Sequence, residues 1–180
     1  KGVKTDEIVL TTFTEKSAHE MIERADKILP YGYVDLWIHT FHGLAERILR
    51  QSSLEIGINP EFKLLDSTSQ WVFLKKNLEE LNLKYYHSSG NPNKFIAELL
   101  SHFSRLKDEN ISSQEYQQVV AKIEKDFQKN SAGEISDIEE AMEIERLKEL
   151  AGAYETYNKL LIQNNFLDFG DLINYTIKLF

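Results

Sequence analysis

The first sixty residues alternate between short apolar runs and amphipathic stretches. Residues 7–13 predict a buried strand and residues 34–39 predict a second short strand. After each strand, apolar residues recur at three- and four-residue steps, which indicates a helix. Thr14 and Thr40 stand where N-caps belong, and Pro30 with Gly32 would end the first helix. Two successive strand–helix units predict part of an α/β domain with parallel strands.

From about residue 59 onward, apolar residues recur at the three- and four-residue steps of a helix almost throughout. One predicted helix carries a stripe of Trp71, Leu74, Leu78 and Leu81, and the next begins at Asn91-Pro92. Ser112-x-x-Glu115 is a capping box, residues 135–162 form a long helix, and Asp168 caps the last one. The predicted fold is therefore mainly α. It has a short α/β portion over residues 1–58, an all-helical domain over 59–164 and a return segment over 165–180.

Composition narrows the class of protein. The chain has 180 residues, of which 42% are hydrophobic and 28% charged, as in an ordinary soluble globular protein. It has no cysteine, which excludes disulfides and thiolate metal sites. No apolar run approaches the length of a membrane span and no signal-type segment opens the chain, so we expect a cytoplasmic protein without membrane contact. The net charge of −8 argues against general coating of nucleic acid but permits a local groove.

Sequence motifs for catalysis are absent from these residues. There is no G-x-x-x-x-G-K-[ST], G-x-G-x-x-G or H-E-x-x-H. His39 and His42 flank Thr40-Phe41, but no further ligands accompany them, and a zinc site needs three or four. We therefore predict no catalytic residue, no bound cofactor and no metal within this chain.

Three corners of the chain place an aromatic residue beside hydrogen-bonding groups where a helix begins. They are Thr12-Phe13-Thr14, Thr40-Phe41-His42 and Asp168-Phe169-Gly170. Helix N-termini bind phosphate, and an exposed aromatic stacks on an unpaired base. The alternative is that the polar residues are ordinary N-caps and the phenylalanines plug a core. The residue types alone leave both interpretations open and favour the core plug.

Four motifs resemble superfamily 1 helicases of the UvrD/Rep/PcrA type, in that family's order. IVLTTFTEKSAHEMIERA is similar to the family's T-F-T-N-K-A-A-x-E-M-x-x-R, and WIHTFHGLAERILR to its T-F-H-S with a trailing helix. NPEFKLLDSTSQ is similar to N-x-x-F-x-I-L-D, and NNFLDFGDLI to L-D-F-D-D-L. Each motif is weak alone, but the four together at these separations are specific.

The resemblance implies a fragment of an ATP-dependent 3′-to-5′ DNA helicase. Residues 1–58 would belong to a RecA-like motor domain, and residues 59–164 would be the helical domain inserted into it. ATP and Mg²⁺ would bind the parent protein through Walker A and Walker B motifs outside this chain, so the fragment alone would be inactive. Single-stranded DNA would be the partner.

The resemblance also assigns roles to individual residues. Phe13 would stack on a base, as would Phe169. Contacts with the DNA backbone or the bases would come from the remaining candidate residues, namely Thr12, Thr14, Lys16, Thr40, Phe41, His42 and Arg47.

Three positions depart from the family pattern. Glu15 stands where asparagine is frequent, and it would repel phosphate unless it turns back to cap the helix at Thr12. Gly43 replaces a serine, and Gly170 replaces the first aspartate of D-F-D-D-L. These three positions therefore lack the side chains that the family pattern has there.

Two other functions remain open at this point. One is a helical protein-interaction module of relict helicase ancestry, with the acidic segment 134–149 as its surface. The other is part of a helicase–nuclease subunit of the AddA or RecB kind. Exposed strand edges in a truncated sheet would also permit a non-native dimer of the fragment.

Overall fold

The computed structural model describes residues 3–4, 7–29, 36–85, 92–130 and 135–180. The chain divides into two compact units. The first unit consists of residues 1–61 and 172–180, and the second unit consists of residues 62–171. The prediction of a mainly α chain with a short parallel α/β portion is confirmed.

The first unit begins with two strand–helix pairs. Its elements are β1 (Val9–Thr12), α1 (Glu15–Asp26), β2 (Trp37–Thr40) and α2 (Phe41–Ser52), followed by a 3-10 turn at Ser53–Ile56. The strands are parallel, with a register that runs from Val9 opposite Trp37 to Thr12 opposite Thr40. Because parallel strands end at the same edge of a sheet, the N-termini of α1 and α2 begin beside each other.

The first strand differs from its prediction in burial. Residues 7–13 were expected to be buried, but Ile8, Val9 and Leu10 are between 42% and 52% exposed. A parallel strand is buried only when other elements cover both of its faces. In the described part of the chain, β2 alone pairs with β1. The apolar run is therefore typical of an inner strand of a larger sheet.

Some predicted features of the first 91 residues lie outside the described residues, namely Pro30, Gly32, the start of the second predicted strand and Asn91. The first helix ends earlier than its apolar pattern predicts, at Asp26, with Lys27 as its C-cap. Both N-cap predictions are confirmed, since Thr14 caps α1 and Thr40 caps α2.

The second unit packs helices around aromatic and aliphatic side chains. Its elements are β3 (Lys63–Leu64), α3 (Ser67–Lys76), α4 (Pro92–Asp108), α5 (Ser113–Asn130), α6 (Ile135–Gln163) and β4 (Phe166–Leu167), and α7 (Phe169–Leu179) begins in it. Phe103 of α4 stacks on Tyr157 of α6, with ring centroids 5.2 Å apart, and both are fully buried. The capping box at the start of α5 is confirmed, because Ser112 N donates to Glu115 Oε2 and Glu115 N donates to Ser112 Oγ.

Two local features of the second unit differ from the sequence prediction. The stripe from Trp71 to Leu81 is not one helix, because α3 ends at Lys76 and a 3-10 turn follows at Leu78–Leu81. The Asn77 amide donates to the carbonyl of Phe73 and so competes with the next helical turn. Strands β3 and β4 pair in parallel over only two residues each, too few for an alternating pattern to reveal.

A lysine ammonium lies inside the second unit between two aspartates. Lys107 Nζ of α4 lies 2.6 Å from Asp168 Oδ2 and 2.7 Å from Asp171 Oδ1, and its side chain is 2% exposed. Gly170 makes this approach possible, because a Cβ added there would lie 2.8 Å from Lys107 Cβ and 3.0 Å from Lys107 Cδ. The close approach of Lys107 therefore explains why this chain has glycine where the family pattern has aspartate.

We predict that Gly170→Ala destabilises the protein by about 1–3 kcal/mol, because the added methyl overpacks a buried site. The matched control is Gly152→Ala in the middle of α6, where an added Cβ meets nothing within 4 Å. That change should stabilise the protein by about 0.5–1 kcal/mol through helix propensity. Urea unfolding curves of the two variants give the comparison, and equal stability of both would contradict the steric account.

Candidate nucleic-acid interface

Phe13 is exposed at the corner between β1 and α1. Its side chain is 89% exposed, so the alternative that it plugs a core is wrong for this chain. The chain leaves β1 at Thr12 and enters the helix after Thr14, which holds an extended conformation. Thr14 Oγ1 accepts from Ser17 N at 3.1 Å and lies 2.8 Å from Ser17 Oγ. This cap fixes the turn directly after the exposed ring.

The second corner connects β2 to α2 without an intervening loop. Thr40 is the last residue of β2 and also the N-cap of α2, and it is buried. Its Oγ1 accepts from Gly43 N at 3.0 Å and donates to Glu15 Oε1 at 2.9 Å. Phe41, the first residue of the helix, is 53% exposed, and His42 follows it on the surface.

The two corners differ although their sequences resemble each other. Thr12 and Thr40 are register partners in the sheet, but only Thr40 is an N-cap. The first corner has two additional residues before its helix begins, and Phe13 is one of them. This explains why Phe13 is more exposed than Phe41. Both rings nevertheless start from the same edge of the β1–β2 sheet.

Glu15 connects the two corners. The sequence spacing allows it to turn back to Thr12, but in the structure its carboxylate accepts from the Thr40 hydroxyl. Its position in the first turn of α1 is favourable for an acid, since the helix dipole is positive there. Gly43 suits the same arrangement, because a Cβ there would lie 3.1 Å from Thr40 Oγ1.

The two candidate cations of the first unit have different surroundings. Lys16 is exposed in the first turn of α1. Arg47 lies with its guanidinium 4.0 Å from the centre of the Trp37 ring. Its Nη1 is 3.3 Å from the Leu36 carbonyl and 3.1 Å from His39 Nε2. Contact of either cation with phosphate stays a prediction, and the contacts of Arg47 hold it against β2.

The third corner belongs to the second unit, where Phe169 begins α7 and is 44% exposed. Asp168 and Asp171 cap the helix reciprocally, because Asp171 N donates to Asp168 Oδ1 and Asp168 N donates to Asp171 Oδ2, each at 3.0 Å. The predicted cap at Asp168 is confirmed. Tyr157 also donates its hydroxyl to Asp168 Oδ2, at 3.2 Å.

Burial and the mutual charges of Lys107, Asp168 and Asp171 act together on the pKa values of this cluster. Burial raises the pKa of Asp171 to about 6, although the charge of Lys107 acts in the opposite direction. Burial by itself would lower the pKa of Lys107, but Asp171 and Asp168 outweigh it and hold that pKa above its ordinary value. Burial and the two carboxylates raise the pKa of Tyr157, so its hydroxyl stays a donor. Lys107 is thus charged at every physiological pH.

One cleft of the first unit is not lined by the exposed rings. It has a volume of about 420 Å³ and is lined by residues of α1, β2 and the start of α2, including Ile22, Ile38 and His39. Glu15 and Thr40 border it, whereas Phe13 and Phe41 do not. The rings therefore project from an open surface, which suits a polymer better than a small molecule enclosed in a pocket.

Neither a metal site nor a membrane span is found in the described ranges. Within them, no group of three or more histidine, aspartate and glutamate side chains is arranged to hold a metal ion. Of the helices whose residues are described, none is both long and apolar enough to cross a bilayer.

Comparison with known proteins gives the family. The family described as the UvrD/REP helicase N-terminal domain matches residues 1–180. The chain belongs to this family. It is 36% identical over 181 residues to the ATP-dependent DNA helicase PcrA of Bacillus subtilis and 33% identical over 180 residues to that of Staphylococcus aureus. Each comparison covers 100% of this chain and 21% of the relative, so the chain spans about a fifth of these curated relatives.

The UvrD/REP resemblance did not reveal the contacts that hold the corners. Lys107 was absent from the sequence prediction, although one signal was available. It lies four residues after Phe103 and seven after Leu100, so it shares the apolar face of α4. A lysine on a core-facing stripe needs a buried acid, and Asp168 with Asp171 supplies one. The bond between Glu15 and Thr40 spans 25 positions and left no such periodic signal.

We predict that Thr40→Val destabilises the protein by about 1–2 kcal/mol. The change removes the N-cap of α2 and leaves the Glu15 carboxylate without its donor. Thr11→Val is the control, because Thr11 is an exposed residue of the paired strand β1 and valine suits a strand. Urea unfolding measures both changes, and a Thr40→Val protein as stable as the Thr11→Val protein would refute the role of this hydroxyl.

Proposed function

We propose that this chain supplies part of the single-stranded DNA track of an ATP-dependent helicase that moves in the 3′-to-5′ direction. The observation that carries the proposal is the exposed Phe13 beside the half-exposed Phe41 at one edge of a parallel sheet. The relatives are named ATP-dependent DNA helicases, and the chain aligns with them over its whole length.

Exposed aromatic rings suit a single strand because every unpaired base has a flat face. Stacking of one base on an aromatic side chain contributes about 1–3 kcal/mol and depends little on the base sequence. Leaving a phenylalanine in water forgoes about 1.5–3 kcal/mol of burial. Phe13 therefore gains from a partner that covers its ring, and a base of the tracked strand is the partner we assign.

The helix N-termini at the same edge suit the phosphates of that strand. The first N–H groups of a helix have no acceptor within the helix, and the Thr14 and Thr40 hydroxyls accept from the amides of Ser17 and Gly43. We assign the first-turn amides of α1 and α2 to the DNA backbone, with Lys16 as a supporting cation. Thr40, whose hydroxyl is occupied by Glu15, acts by holding its corner in place.

The rest of the motor lies outside this chain in our proposal. The open edge of β1 would pair with a further strand of a RecA-like domain, and other elements of that domain would cover its exposed apolar residues. ATP with Mg²⁺ would bind residues of that domain. ATP binding and hydrolysis would close and open the motor and so shift the strand past Phe13. A cytoplasmic location and a dimer of the isolated fragment stay predictions.

The alternative of a protein-interaction module has weaker support. Several acids of its proposed surface are engaged within the second unit. Glu149 accepts from the backbone N–H of Tyr85, and Lys148 pairs with both Glu145 and Glu124. An acidic helix whose charges stabilise its own unit is an ordinary solvated face. The helicase–nuclease alternative shares the same DNA track and differs only in domains beyond this chain.

We predict that Phe13→Ala in the parent helicase weakens single-stranded DNA binding by about tenfold, because a stacking ring is lost. Phe13→Leu should fail similarly, whereas Phe13→Tyr should bind normally, since tyrosine keeps the flat face. Fluorescence anisotropy with an oligothymidine measures the affinity, and ATP turnover without DNA should not change. Leu54→Ala serves as the control, because Leu54 is 73% exposed in the same unit. Normal affinity of the Phe13→Ala enzyme would exclude the proposed track.

A further inference from the structure

Asp168 and Asp171 hold the corner that carries Phe169, and each of their four carboxylate oxygens has a hydrogen-bond or ion-pair partner. Asp168 Oδ1 accepts from Asp171 N, and Asp168 Oδ2 accepts from both Lys107 Nζ and the Tyr157 hydroxyl. Asp171 Oδ2 accepts from Asp168 N, and Asp171 Oδ1 faces Lys107 Nζ at 2.7 Å. All four oxygens therefore have a partner, and Phe169 lies between the two residues that they fix.

The helix cap alone does not require a buried lysine. The capping box of α5 uses the same reciprocal bonds between Ser112 and Glu115 on an exposed surface. A buried ion pair seldom adds stability over apolar packing of similar volume, because both charges lose their hydration. Unlike the helix cap, the ion pairs of Lys107 with Asp168 and Asp171 connect the start of α7 to α4. Because Gly170 has no Cβ, the aliphatic part of the Lys107 side chain can pass close enough to make this contact.

The Phe169 ring borders a small cavity of the second unit. A cavity of about 50 Å³ borders Phe169, and Gln70, Leu100 and Ser104 contribute to its lining. The ring is also 44% exposed. The carboxylates and Lys107 hold the beginning of α7 and so set the point from which the ring projects.

We propose that Lys107 is a positioning residue that orients Phe169 for stacking on single-stranded DNA, by holding Asp168 and Asp171 against α4. The DNA part of this inference rests on the proposed function. Lys107 does not touch DNA in this account, because its side chain is 2% exposed. It acts through the geometry of the corner.

The positioning is tested with a fluorine label in the parent helicase. With 4-fluorophenylalanine at position 169, Lys107→Met should shift or broaden the single ¹⁹F resonance, because the corner loses its tie to α4. Lys148→Met is the matched control, since Lys148 pairs with Glu124 and Glu145 on the surface, and it should leave the resonance unchanged. An unchanged resonance in the Lys107→Met protein would overturn the positioning role.

Affinity for an oligothymidine tests the DNA part separately. Phe169→Ala should weaken binding by about fivefold to a hundredfold, and Lys107→Met by a smaller factor. In the Phe169→Ala background, Lys107→Met should have less than about a twofold effect, and it should not change the salt dependence that a lost phosphate contact would reduce. Equal losses in both backgrounds would overturn the inference. If Phe169→Ala binds normally, the DNA role of this corner fails, while the fluorine result still decides the positioning.

A second variant, Asp171→Asn, tests the same role if the Lys107→Met protein does not fold. Asp171→Asn keeps the side-chain volume and leaves the bond between Lys107 and Asp168 in place. An amide at position 171 cannot accept from both Lys107 and Asp168 N, so one of its two contacts is lost. The ¹⁹F resonance should shift less than with Lys107→Met and in the same direction. No shift in this folded variant would overturn the positioning role.

Discussion

The parallel register of β1 and β2 is the constraint on which the candidate interface depends. Because Thr12 lies opposite Thr40, both strands end at the same edge of the sheet, and both following helices start there. A slip of one residue would exchange the faces of every side chain in the strand. The hydrogen bond from Thr40 to Glu15 ties the two corners together across 25 positions of sequence. The register thus sets where Phe13 and Phe41 leave the surface.

The two units hold their exposed aromatic residues by different physical means. In the first unit, threonine caps and one partly buried hydrogen bond fix the corners around Phe13 and Phe41. In the second unit, a buried ammonium between two carboxylates fixes the corner of Phe169. The buried charges carry a desolvation cost that apolar side chains would avoid, so the ion pair fixes a geometry rather than adding much stability.

Features encoded by neighbouring residues could be predicted from the sequence. Thr14, Thr40 and Asp168 cap helices as their local pattern indicates, and so does the Ser112–Glu115 box. Contacts between distant residues could not be predicted, because Lys107 and Asp168 are 61 positions apart and only the fold brings them together. The exposure of β1 was also missed, since an apolar run shows that a strand prefers burial but not which elements cover it.

In the function that we propose, one single strand of DNA passes both corners of the first unit. The most direct test places the photoreactive residue p-benzoylphenylalanine at position 13, 41 or 54 of the parent helicase bound to a labelled oligothymidine. Position 54 is the control, because it follows the far end of α2, about 18 Å along the helix from Phe41. We expect cross-links from positions 13 and 41 to nearby nucleotides and little cross-linking from position 54. Equal yields at all three positions, or none at 13, would contradict it.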